Sequence, residues 1–175
     1  IDFDGAAVMA AQAKGLEVHV GDLSMQAFPD MSFDAVMMNH VIEHLPMPLQ
    51  TLLEINRILR PGGLLIGITP NAESWGHRHF SRDWLALHPP QHLQIFTQSA
   101  LSNMANKAGF AQVRVTVSAM NAMEVLKGSV QLRSPEMKVN KLSTRLHLEA
   151  IWLWEWFLTL LGKRSGELLV FVATR

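Results

Sequence analysis

The 175-residue sequence contains no cysteine, which excludes disulfides, thiolate zinc sites and a cysteine nucleophile. Charge is scarce, at 17% of residues against about 25% in an ordinary soluble chain. Fifteen bases cancel fifteen acids, so the bulk cationic attraction on which nucleic-acid binders depend is missing, and no nucleic-acid partner is expected. There is no run of ~20 apolar residues to span a bilayer and no secretory-type leader segment. Together with the missing thiols, this leads us to expect a cytoplasmic location. Repeats and low-complexity linkers are absent too. The chain opens at Ile1 rather than at a methionine, and its first residues already read as the end of a strand.

What is present is apolar. Hydrophobic residues make up 49% of the chain, and the length suits a single domain over 1–175. The charges cancel only globally: residues 1–60 hold eight acids and three bases, whereas 61–175 hold seven acids and twelve bases. Strand and helix patterns alternate. Asp4 is placed to cap a helix over 5–14, which Gly15 ends, and a short strand is expected at 16–20. The run 33–38 reads as a fully buried strand. The stripe of Leu49, Leu52, Leu53, Ile55, Ile58 and Leu59 predicts a helix over 46–60, stopped by Pro61-Gly62-Gly63 before a strand at 64–69.

Residues 70–96, rich in His, Trp and Pro, read as irregular. Thr97 caps a helix to Lys107, and a strand follows at 112–118. The pattern is helical from 120 to 161, with Ser134-Pro135-Glu136 as a helix start inside it, and a strand closes the chain at 167–174. This alternation predicts an α/β domain with a largely parallel sheet, its last two strands open to antiparallel pairing. Ligands of such sheets sit at the carboxyl ends of the strands, which directs attention to Asp2, Asp22, Asn39 and Asn71. An acid in the position of Asp2 accepts hydrogen bonds from ribose hydroxyls in doubly wound folds; the plainer role of helix cap falls to Asp4. Asp22 is placed to accept an adenine amino proton, with Leu23 against the ring. Asn39 faces either a ligand or its own helix end.

Six segments share a family pattern: Ile-Asp-Phe-Asp (1–4), Gly-Asp-Leu (21–23), Phe-Pro-Asp-Met-Ser-Phe-Asp-Ala-Val (28–36), Asn-His-Val-Ile-Glu-His-Leu (39–45), Glu-Ile-Asn-Arg-Ile-Leu-Arg-Pro-Gly-Gly (54–63) and His-Leu-Gln-Ile-Phe-Thr (92–97). In these the chain resembles the class I S-adenosylmethionine-dependent methyltransferases, in the small-molecule branch. The resemblance implies a Rossmann-like doubly wound sheet, with S-adenosylmethionine as cofactor and methyl transfer to a small-molecule or lipid-like acceptor. It implies a cofactor site of Asp2, Phe3, Asp22, Leu23 and Asn39, with His44 and Arg57 as structural residues of the motifs. The family's glycine-rich loop belongs before Asp2 and is absent from this sequence. The expectation is therefore a domain lacking its first strand–helix unit, with 120–162 as a helical insertion or lid before the last strand. Two other readings stand beside it: a methyltransferase-like domain without cofactor binding, and a nicotinamide-binding Rossmann enzyme.

The histidines cluster, six of the eight lying between positions 40 and 92. His92, then His88, are the candidate bases for taking a proton from the acceptor. His40-Val-Ile-Glu43-His44 matches the H-x-x-E-H pattern of zinc peptidases. That site needs both histidines inside one helix, which the prolines at 46 and 48 preclude, so no metal is expected. Residues 148–161 carry Trp152, Trp154 and Trp156 with little polar relief beyond Glu149, Glu155 and Thr159, preceded by Lys138, Lys141 and Arg145 and followed by Lys163 and Arg164. Packing on the sheet, a homodimer contact and docking on a membrane surface through 138–164 are the three readings of this helix.

Overall fold

The computed structural model describes residues 1–136, 142–163 and 165–175. Helix α1 (Gly5–Gln12) starts where predicted, because Asp4 Oδ1 accepts the N–H groups of Ala6 and Ala7. Then come β1 (Phe33–Asn39), α2 (Pro48–Ile58), β2 (Leu59–Pro70), α3 (Trp75–Phe80), α4 (Gln98–Lys107), β3 (Ala111–Ser118), α5 (Ala122–Arg133), α6 (Leu142–Leu160) and β4 (Leu168–Thr174). The strands form one sheet in the order β1-β2-β4-β3. β1 and β2 are parallel, while β4 runs antiparallel to both β2 and β3, so the expected reversal at the end of the chain is present.

One face of the sheet carries the main core. Leu52 and Ile55 of α2 and Leu101 and Ala105 of α4 pack with Leu65, Val115, Leu169 and Phe171. Gly67 is small for a reason: a Cβ there would lie 2.1 Å from Phe171 Cζ. A second apolar cluster joins Phe80, Trp84, Leu126 and Leu148 without any strand.

Three expectations change. The run 33–38 is not buried on both faces: Met38 is enclosed, but its neighbour Met37 is 73% exposed. Side chains alternate across a strand, and no described helix covers the Met37 side of β1 to match α2 and α4. Among the described residues β1 pairs only with β2, so its other edge is open. The segment 16–20 forms no strand; it contributes one parallel bridge, Val20 to Asp2. Asp2 N–H donates to His19 O and Gly21 N–H to Asp2 O, and the pairing stops at this one bridge among the described residues. Finally, 70–96 is more ordered than its composition suggests. Ser74 caps α3 by accepting the His77 N–H, and two short 3-10 turns follow, Ser81–Asp83 and Leu85–Leu87.

The long helical stretch is broken. α5 ends at Arg133, and Pro135 and Glu136 lie in a turn rather than at a helix start. Lys138, Lys141, the Arg145 side chain and Arg164 lie outside the described residues. In α6, Leu153, Trp154, Phe157 and Leu160 are exposed, while Leu148 and Glu155 are buried. No described helix is long and apolar enough to cross a membrane.

Candidate functional site

Three of the predicted ligand residues meet. Phe3, Asp22 and Leu23 line one cavity of about 260 Å³ together with Leu45, Pro46, Met47, Gln50, Thr51 and Glu54. The volume is just below the ~300 Å³ at which whole small-molecule sites begin, and suits one end of an extended ligand. Its walls are an exposed phenyl ring, two leucines and two carboxylates. Asp22 Oδ1 also accepts the Ser24 hydroxyl at 2.6 Å and the Met25 N–H at 2.9 Å, and these bonds, the hydroxyl first, hold its carboxyl below the usual range. Asp2 does not line the cavity, which its sequence neighbour Phe3 reaches. Its Oδ1 accepts the Asp4 N–H at 2.9 Å, while its backbone makes the bridge to Val20.

Asn39 does not join this cavity. It ends β1, exposed and paired in register with Ile68. Asn71, after β2, is fully buried and structural: its amide donates to Gly166 O, and its Oδ1 accepts the Glu73 N–H. Arg57 ties α2 to the loop before β1, through Glu54, Asp30 and the Phe28 carbonyl.

The turn that supplies Leu45 to Met47 begins with a second constellation. His40 adopts φ 53° and Ile42–His44 is a single 3-10 turn, so His40 and His44 do not share a helix face. Glu43 is completely buried. Its Oε1 meets His40 Nδ1 at 3.0 Å and its Oε2 accepts the Thr69 hydroxyl at 3.0 Å. Burial alone would raise its pKa, but the hydrogen bonds from His40 and Thr69 outweigh it and leave the carboxyl lowered. The Glu43 carbonyl accepts the N–H groups of Leu93 and Gln94, and Gln94 Nε2 donates to Leu45 O. These bonds clasp 43–45 against 91–94.

The clasp brings His44 and His92 together, their rings perpendicular and 4.7 Å apart. His92 Nδ1 donates to Ala86 O at 2.7 Å, and partial burial pushes its pKa down. His88 is exposed at φ 37°, its ring 5.3 Å from that of His92. His77 and His79 are engaged elsewhere, stacked on Trp84 and Trp75.

The residue pattern did not point to a buried carboxylate pair. Glu167, at the start of β4, accepts the Gly76 N–H at 2.7 Å and the Trp84 indole N–H at 2.6 Å. Glu155 of α6 faces it, also fully buried, and its pKa is pushed up to about 9, by burial first and then by the charge of Glu167. The signal available in sequence was a lone acid inside an apolar helix.

The cavity is walled in part by Leu45, Pro46 and Met47 of the turn after β1, and ligands of open α/β sheets sit beyond strand ends of this kind. The family model for the methyltransferase domain matches residues 3–115, and the chain belongs to that family, in the S-adenosylmethionine-dependent class. It is 32% identical over 112 residues to a protein of Mycolicibacterium smegmatis that carries the name probable S-adenosylmethionine-dependent methyltransferase, covering 63% of this chain and 42% of that one. It spans less than half the length of the curated relatives it matches. Two solved structures share the fold. A methyltransferase of Thermotoga maritima has a TM-score of 0.63 at 20% identity, over 97% of this chain and 69% of the other. One of Archaeoglobus fulgidus has 0.64 at 16% identity, over 99% and 73%.

Proposed function

We propose that the protein transfers a methyl group from S-adenosylmethionine to a small-molecule acceptor. The observation that carries this reading is the convergence of Phe3, Asp22 and Leu23 on one cavity next to Asp2. These residues fit the adenosine half of the cofactor: an aromatic ring and a leucine offer apolar surface to a base, Asp22 offers an acceptor to its amino group, and Asp2 offers one to ribose hydroxyls. Asn39 is assigned to the polar methionine end. When bound, S-adenosylmethionine supplies an electrophilic methyl carbon on a sulfonium, so the chain's task is to hold the acceptor in line with it.

His92 is the proposed proton acceptor. Its Nδ1 is committed to Ala86 O, which leaves Nε2 as the basic nitrogen, and His88 stands beside it as the second candidate. The exposed Leu153, Trp154 and Phe157 on α6 support a lipid-like acceptor as the finer assignment, with the homodimer contact as the competing use of that surface.

The test is calorimetric titration of the protein with S-adenosylhomocysteine. Binding that is weakened by Asp2→Ala supports the proposal. No binding by a folded protein overturns it and favours a domain that keeps the fold without the cofactor.

A further inference from the structure

The clasp between 43–45 and 91–94 gathers more ligating groups than a single base requires. One ligand atom from each of Glu43, His44 and His92 lies within 4.8 Å of the other two. Both imidazoles are already oriented as ligating histidines usually are. His44 Nδ1 donates to Gln91 O at 3.0 Å and His92 Nδ1 to Ala86 O at 2.7 Å. A ring whose N–H is fixed by a carbonyl presents a defined lone pair on the other nitrogen. The carboxylate is supported in the same way, held by His40 on one oxygen and Thr69 on the other. The supports come from the ends of β1 and β2 and from the 86–92 loop.

We propose that Glu43, His44 and His92 form a divalent transition-metal site of the zinc type, with Nε2 of each histidine and the Glu43 carboxylate as ligands. Two imidazoles and one carboxylate are a borderline-soft set suited to zinc, and three protein ligands leave a fourth position for water or a substrate oxygen. His44 lies at the surface, which gives an ion a way in. Donors about 2.0–2.1 Å from a tetrahedral ion stand roughly 3.3 Å apart. Three donors that lie within 4.8 Å of one another therefore close by up to about 1.5 Å on loading. The site is unlike the H-x-x-E-H peptidase pattern, since His40 here supports Glu43 rather than binding the ion.

The ion and an acceptor proton compete for the same nitrogen of His92. A loaded site takes that histidine out of base duty and places a Lewis acid in its position. The proposal is independent of the methyl-transfer reading, since its test contains no cofactor.

The untagged chain, stripped of metal with EDTA, is titrated with zinc by calorimetry and with cobalt(II) by visible absorption. One ion per chain and strong cobalt bands of a tetrahedral site are expected. His44→Ala and His92→Ala each weaken binding by at least about tenfold, while His77→Ala leaves it unchanged. His44→Gln and His92→Gln keep an amide donor for the Gln91 and Ala86 carbonyls, so they test ligation if an alanine variant unfolds. No zinc uptake by the folded chain, or uptake unchanged in both glutamine variants, overturns the site.

Discussion

The Trp84 indole donates its N–H to Glu167 at 2.6 Å, with both residues fully enclosed. This bond joins the helical cluster of Phe80, Trp84, Leu126 and Leu148 to the first residue before β4, and so to the sheet. Trp84→Phe keeps most of the apolar volume and removes the donor. A buried acceptor that loses a partner costs about 1–3 kcal/mol, and urea denaturation is expected to show a loss of that size.

The companion acid sets a pH dependence. Glu155 keeps a proton in the folded chain up to about pH 9, whereas in the unfolded chain it releases it near the ordinary value of 4.5. Between those limits the folded state binds more protons, so stability falls as pH rises through this window and levels off above it. One such group contributes a slope of up to about 1.4 kcal/mol per pH unit. Glu155→Gln, which stays neutral at every pH, is expected to flatten this slope and to stabilise the chain at pH 8. Melting temperatures of both proteins between pH 5 and 9 check this.

Gly67 and Phe171 occupy the same space at the centre of the sheet. A Cβ at position 67 would lie 2.1 Å from Phe171 Cζ and 2.2 Å from Cε1, so Gly67→Ala forces Phe171 to shift. Overpacking of this kind costs about 1–3 kcal/mol. Adding Phe171→Leu to Gly67→Ala makes room for the methyl group and should recover part of the loss, a coupling that a double-mutant cycle in urea measures.

Asp22 serves two partners. Replacing it with alanine removes the acceptor for Ser24 and Met25 and the carboxylate facing the cavity. The expected outcome is weaker S-adenosylhomocysteine binding by about tenfold or more, equivalent to the loss of one charge-assisted hydrogen bond. Ser24→Ala disturbs only the local turn and is expected to change affinity far less. Equal losses in the two variants would assign Asp22 to the turn alone.

Local chemistry was the legible part of this molecule. Asp4 and Thr97 cap α1 and α4 as their positions imply, because a cap depends on a few neighbouring residues. The antiparallel ending of the sheet was legible as an option open to edge strands, and β4 pairs antiparallel with both β2 and β3. Asp22 and Leu23 stood out as residues following a strand and Phe3 only through family resemblance, but their sharing of one cavity was not legible, since nothing in twenty residues of spacing specifies it. His44 beside His92, and Glu155 beside Glu167, were not readable at all. The first is made by backbone bonds from Leu93 and Gln94 to Glu43 and the second by the packing of α6, and neither leaves a trace in the identity of the side chains. The run 33–38 misled for a related reason: hydrophobicity reports what a strand tolerates on each face, not whether something covers it.

β1 has a consequence for how the chain behaves in solution. Its open edge is a row of seven residues offering backbone donors and acceptors, with the bare thioether of Met37 beside them. Such an edge accepts any extended peptide in register, whatever its side chains, and a second molecule of the same chain is the commonest peptide in a concentrated sample. Light scattering is therefore expected to show association that grows with concentration. Met37→Lys, a charge placed beside that edge, is expected to suppress it while leaving the buried Met38 face intact.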